Sequence, residues 1–211
     1  MWQKALIVGS IALLALVLLG SLPATAQSGE GVVHGQVANW TEGAGNVSQL
    51  EVTLNTYQGT IDLGTTTATT DDQGVFEFTG LATEADYAYQ LTLVYQEAEY
   101  NFELFSFEGG ETTKIANLVV YDSTSDDQSI RINRSHMFIK VEPGSLLVTE
   151  YYLFLNDGDK TYTGSGEVSA GTKESLQFSL PEQAADLEMV DGLMECCIVR
   201  TENGFADTMV F

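Results

Sequence analysis

The chain has 211 residues, with 30 Asp and Glu against 8 Lys and Arg and a net charge of -22 at neutral pH. Such a surface repels a nucleic-acid backbone, whose binding needs basic neutralisation, and it disfavours charge-driven adsorption to anionic lipid. Two histidines and two cysteines leave little material for His-based or Cys-based catalysis, so composition speaks more to location and fold than to a reaction.

At the amino terminus, Trp2, Gln3 and Lys4 precede an apolar run from Ala5 to Leu19. Gly20 to Pro23 and then Ala24-Thr25-Ala26 follow, ahead of Gln27. This order is that of a secretory signal over residues 1–26. An uncleaved membrane anchor is the competing reading, since Ala5 to Leu22 sits at the lower edge of a spanning length of ~17–25 residues. Either route places the remainder outside the cytosol: extracellular, on the cell surface or in the periplasm. Loss of Lys4 with the signal would leave 7 basic against 30 acidic residues, a net charge near -23.

From Gly29 onward, short runs rich in Val, Thr, Tyr and Phe alternate with Gly, Asn and Asp, which predicts strand after strand and almost no helix. Val33 and Val37 flank Gly35 in the first strand. Val52 and Leu54 alternate with Glu51, Thr53 and Asn55, giving one core face and one wet face. Thr65 to Thr70 and Val75 to Phe78, joined by Asp71-Asp72-Gln73-Gly74, read as a hairpin. Leu81 is placed to plug the end of the core. Tyr87, Tyr89, Leu91, Leu93 and Tyr95 share a face opposite Ala88, Gln90, Thr92 and Val94, and Tyr100, Phe102 and Leu104 repeat the pattern. About seven strands between Gly31 and Phe107 suit an antiparallel β-sandwich of immunoglobulin size, over residues 29–108.

After the Gly109-Gly110 turn, a second all-β sandwich or partial sandwich is expected over residues 112–211. Its strands are Ile115 to Tyr121, Ile130 to Val141, Leu146 to Asn156, Leu176 to Leu180, Cys196 to Thr201 and Ala206 to Phe211, with one short helical turn at most at Pro181 to Ala185. Apolar residues fall on both faces of Leu146 to Leu155, which predicts a central strand or one covered by another part of the protein. Ala206 to Phe211 is either a closing strand or a point of truncation ahead of further β structure and a carboxy-terminal anchor.

The opening strand Val33-His34-Gly35-Gln36-Val37, the strand Val52-Thr53-Leu54, the segment from Thr69 through Asp71-Asp72-Gln73-Gly74 to Phe78, and Gly80-Leu81 before Tyr87 carry a resemblance. Together they resemble the carboxypeptidase regulatory-like domain, a relative of the transthyretin-like and collagen-adhesin B-type sandwiches, over Gly31 to Phe107. The resemblance implies an immunoglobulin-like or prealbumin-like fold and a non-catalytic module of secreted enzymes, receptors or surface proteins. Val119 to Asp126 and Thr201 to Thr208 resemble an uncharacterised bacterial extracellular region.

Candidate chemistry competes throughout with ordinary structure. Asp126, Asp127, Asp157 and Asp159, like Asp71 and Asp72, lie in turns where carboxylates could ligate calcium. However, Asn156-Asp157-Gly158-Asp159 has its glycine too early for a calcium loop and no closing glutamate at the required spacing, and the same residues make plain hairpin turns. Cys196 and Cys197, as strand neighbours, are expected to point to opposite faces. Reduced thiols, or a bond to another chain or to a missing segment, are then easier to accept than a strained bond between neighbours. His34 and His136 read as surface or edge residues, no Gly-x-Ser-x-Gly elbow occurs, and no carboxylate pair stands out as catalytic. Asn39, Asn46 and Asn133 match the acceptor pattern for glycosylation.

These features predict a non-enzymatic secreted or cell-surface structural or recognition protein without a cofactor, calcium excepted. The alternative is an accessory module of a secreted hydrolase or transport system. The partner expected is an extracellular protein or glycan. Membrane association would come through an uncleaved amino-terminal segment or a missing carboxy-terminal anchor. An exposed aromatic group drawn from Tyr151, Tyr152, Phe154 and Tyr162 would favour binding over mere spacing.

Overall fold

The computed structural model of the chain describes residues 29–169, 172–189, 192–193 and 195–211. The expected export segment, residues 1–26, lies outside them. The protein is all-β: strands make up 57% of the described residues, which contain no α-helix.

The first unit begins with β1 (Gly31–Asn39), β2 (Glu51–Gln58), β3 (Ile61–Thr69), β4 (Val75–Leu81), β5 (Tyr87–Tyr95) and β6 (Ala98–Asn101). One sheet has the order β3-β2-β5-β6, antiparallel throughout. The other is built on β1, which pairs antiparallel with β4. The chain then returns as β7 (Thr113–Ile115) and β8 (Leu118–Val120), and both pair parallel with β1.

Alternation decides which side chains meet between the sheets. Val33 and Val37 of β1 face Val52 and Leu54 of β2 and Leu91 and Leu93 of β5, all essentially fully buried. Phe76, Phe78, Tyr89, Tyr95, Phe107, Leu118 and Val120 complete the cluster, and Leu81 packs at its margin as expected. The Tyr89 hydroxyl donates to the Ala82 carbonyl at 2.9 Å, and burial pushes its pKa up to about 12. Gly35 sits where the backbone of Ala116 and the ring of Phe76 close in, since a Cβ there would lie 2.2 Å from each.

Several strand readings change once pairing is known. Thr65 to Thr70 and Val75 to Phe78 do not form a hairpin: β3 pairs with β2 and β4 with β1, so Asp71 to Gly74 carries the chain from one sheet to the other. The hairpin is β2-β3, which turns at Gly59 with φ of 59°. Leu104 is exposed, lying between the last bond of the β6 edge, from the Phe102 amide to the Leu91 carbonyl, and the Tyr89–Phe105 bridge. The polar stretch after Phe107 is a turn within this unit, and Leu118 and Val120 belong to the same core. The sandwich therefore runs on to Val120, past the expected limit at residue 108.

The second region contains β9 (Ser123–Thr124), β10 (Ile130–Glu142), β11 (Ser145–Asn156), β12 (Thr161–Tyr162), β13 (Gly166–Ser169), β14 (Thr172–Glu174) and β15 (Leu176–Ser179). A 3-10 turn at Glu195–Cys197, β16 (Ile198–Thr201) and β17 (Gly204–Asp207) follow. A three-stranded antiparallel sheet has the order β15-β17-β16. Its Phe178 and Phe205 stack with centroids 4.7 Å apart, and Tyr152 and Phe154 of β11 pack on Phe178 at 6.2 and 6.1 Å. Phe211 closes the cluster against Phe154 and exchanges backbone hydrogen bonds with Tyr162. One end of the long β10-β11 hairpin is thus held in a small aromatic core. β11 is neither central nor covered along its length, because it pairs with β10 alone.

Gly35→Ala forces backbone or ring displacement in the core, and overpacking of this kind costs about 1–3 kcal/mol. Urea denaturation of the variant should show a lower midpoint with an unchanged slope.

Candidate interaction surface

The β10-β11 hairpin is an arm roughly 40 Å long at ~3.3 Å per residue. Its strands run in register from Ile130↔Asn156 to Glu142↔Ser145 around a turn at Pro143-Gly144, with Asn133 bulged out. The bulge sets Arg131 and Arg134 on one face, where Asn133 accepts a hydrogen bond from Arg131. At the base, Arg131 forks onto the Asp157 carboxylate, which keeps the arginine charged and holds Asp157 below the usual carboxylate range.

Pairing assigns the two faces. Ile132, Met137, Ile139 and Val141 lie with Leu146, Val148, Tyr152 and Phe154 on one face. Its inner end packs into the aromatic cluster, while Met137, Ile139, Val141, Leu146 and Val148 stand 45% to 78% exposed. Arg134, His136, Phe138 and Lys140 line the other, opposite Leu147 and Tyr151. There the His136 ring stacks nearly parallel to Phe138 at 6.2 Å and approaches Tyr151 at 6.2 Å. Phe138 and Tyr151 are 63% and 50% exposed. Lys140 pairs with Glu142 at 2.7 Å, and Arg134 has no ion-pair partner among the described residues.

Charge singles out the same element. The arm carries three of the chain's eight Lys and Arg, namely Arg131, Arg134 and Lys140, and only two acids, Glu142 and Glu150. It is locally positive in a chain of net charge -22. Screening confines the pull of the acidic body to about 8 Å in physiological salt, so Arg134 and Lys140 on the arm act locally.

Of the four aromatics expected at a binding surface, Tyr151 is exposed, Tyr152 and Phe154 are half-buried in the aromatic cluster, and Tyr162 is buried. His136 is exposed at the surface as expected for a surface or edge residue, and neither it nor Phe138 carried a binding role in the sequence reading. Their alternate spacing was visible, but their apposition to Tyr151 required the β10-β11 register. His34 faces Glu77 at 2.9 Å on an exposed part of the first sheet, far in sequence from His136.

The acidic turns have other occupations. Asp157 meets Arg131, and the Asp159 carboxylate accepts from the Glu42 amide at 2.9 Å while its carbonyl accepts from the Thr41 hydroxyl. Asp126 caps its own turn by accepting from the Gln128 amide, and the Asp127 carbonyl accepts from the Ile130 amide. Asp126 and Asp159 border a cleft of about 140 Å³ with Asn156, Lys160 and Tyr162. No three His, Cys, Asp or Glu converge as a metal-binding group among the described residues. Of the glycosylation matches, Asn39 uses its side chain on Asp122 and Tyr95.

Asp122, which no sequence signal marked, is the polar hub where the sandwich hands over to the second region. Its carboxylate accepts from Asn39 at 2.7 Å, Tyr95 at 2.8 Å, Gln96 at 3.0 Å and the Gly45 amide at 3.2 Å, and its own amide donates to Thr41. Burial pushes its pKa up, but these donors outweigh it and hold the group below its ordinary value.

No family model matches the chain, and no curated protein matches it. Among solved structures, a "putative carbohydrate binding protein" from Pseudomonas aeruginosa is similar at 16% identity, over 46% of this chain and 92% of that one, with a TM-score of 0.31.

A depressed carboxyl pKa contributes stability that is present above the unfolded value and lost as pH falls through the folded one. The thermal midpoint of the wild type should therefore drop on acidification below about pH 5 more steeply than that of Asp122→Asn, while the variant is the less stable of the two at neutral pH.

Proposed function

We propose that the chain is a non-enzymatic, exported recognition protein that presents the β10-β11 arm to an anionic extracellular glycan. The observation that carries this reading is the exposed His136, Phe138 and Tyr151 group flanked by Arg134 and Lys140, on an arm whose three cations outnumber its two acids in a strongly acidic chain. Flat aromatic faces stack on the C–H face of a sugar ring, and cations beside them hold carboxylate or phosphate substituents. The acidic body would repel such a polymer, and the length of the arm carries the contact beyond that repulsion.

In this reading the first sandwich is a carboxypeptidase regulatory-like module that serves as a rigid, non-catalytic mount. The signal-like residues 1–26 support export to the cell surface, the periplasm or the medium. The hydrogen bonds from Thr41 and Glu42 to Asp159, and that between the Tyr100 and Thr161 hydroxyls, support a fixed mount.

Binding to polygalacturonate, with uncharged dextran as the control, tests the assignment by surface titration at two salt concentrations. The double variant Phe138→Ala, Tyr151→Ala should bind about tenfold more weakly, equivalent to ~1.4 kcal/mol. Arg134→Ala should flatten the salt dependence, and unfolding of the sandwich should not change. Equal binding of charged and neutral polymers, or full binding by the double variant, would overturn the proposal.

A further inference from the structure

Cys196 and Cys197 are the only cysteines of the chain. They do not alternate across a strand as expected, because β16 begins only at Ile198 and the pair lies in the 3-10 turn Glu195–Cys197. A turn that tight rotates neighbouring side chains by about a third of a circle, not the half circle of a strand. The Sγ atoms lie 2.8 Å apart. The backbone behind them is pinned, since the Cys197 carbonyl accepts from both the amide and the hydroxyl of Thr208, at 2.9 and 3.0 Å. Cys196 is exposed and Cys197 partly covered.

We infer that Cys196 and Cys197 form a disulfide-closing site, which a small-molecule or protein disulfide converts to an eight-membered ring within one turn. The Cys196 sulfur, the more accessible of the two, attacks a sulfur of R–S–S–R as the thiolate. One R–SH leaves, and Cys196 is held as a mixed disulfide. The Cys197 sulfur then attacks the Cys196 sulfur, breaks that mixed bond and releases the second R–SH. The protein dithiol loses two electrons and two protons, and the external disulfide gains both. Its hydrogen bond with Cys196, together with burial and the nearby acids Asp207 and Glu99, raises the Cys197 pKa to about 11, so the second step gains speed as pH rises.

Proximity also favours ring closure over the intermolecular bond expected as an alternative. A second thiol held beside the mixed disulfide outcompetes one that must arrive from another molecule, because closure is unimolecular. Contact with an oxidising compartment rests on the export proposed above, whereas closure by an added disulfide does not.

The full chain, reduced and freed of reductant, is treated with oxidised glutathione at about pH 8 and sampled by intact mass. The expected product has lost the mass of two hydrogen atoms, retains no glutathionyl group and is monomeric on non-reducing gels. Cys197→Ser should stop at a stable glutathionyl adduct. Closure should be about tenfold or more faster in buffer than in denaturing urea, because folding, and not mere adjacency, holds the sulfurs together. A lasting glutathionyl adduct on the wild type, covalent dimers, or equal rates in buffer and urea would each overturn the inference. Alkylation of protein recovered from the exporting host reports separately on the compartment, leaving the in vitro result as the measure of the site.

Discussion

The parallel pairing of β8 with β1 is the contact on which the rest of the molecule depends. By laying Leu118 to Val120 along Val37 to Asn39, it closes the sandwich core with two more apolar side chains and delivers Tyr121 and Asp122 to the sandwich rim. There Asp122 gathers Asn39, Tyr95, Gln96 and the Gly45 amide, while Tyr100 donates to the Tyr121 carbonyl and is hydrogen-bonded to the Thr161 hydroxyl. Buried apolar surface supplies most of the stabilisation, being non-directional and proportional to area. The charged hydrogen bonds at the rim supply direction, since each requires its donor in one place.

From that anchor the second region is organised by aromatic packing on a smaller scale. Phe178, Phe205, Phe154, Tyr152 and Phe211 form a cluster large enough to grip one end of β10-β11 and too small to cover the rest. A two-stranded ribbon is marginal in isolation, so the gripped end stabilises the arm while the outer half keeps its backbone edges and both faces open. The same lack of a covering layer exposes Met137, Ile139 and Val141 on one side and Phe138 and Tyr151 on the other. A strongly acidic chain thus places three of its eight cations on this one element.

Much of the sandwich was legible from two-residue alternation alone. Val33, Val37, Val52, Leu54, Tyr89, Leu91 and Leu93 are core residues because their period matches the pleat, whatever strands lie beside them. Partnership was not legible in the same way. The Asp71-Asp72-Gln73-Gly74 turn has hairpin chemistry yet joins opposite sheets, and Thr113 to Val120 returns to β1 across a long gap in sequence. Turn residues specify a local reversal of the chain, and which strand edge lies open after that reversal is a property of the whole sheet.

Composition and pattern by themselves determined that this is an all-β chain with an acidic surface and one recognisable core, because charge, strand period and turn chemistry are written residue by residue. Only the tertiary structure decided what is covered. Apolar residues on both faces of Leu146 to Leu155 describe a buried central strand equally well as an open arm, and the difference lies in whether a third strand pairs with β11. Likewise Cys196 and Cys197 read as strand neighbours pointing apart, and one tight turn before β16 brings their sulfurs together. In both cases the deciding quantity is a relation between distant segments or a local rotation angle, and neither is encoded by residue type alone.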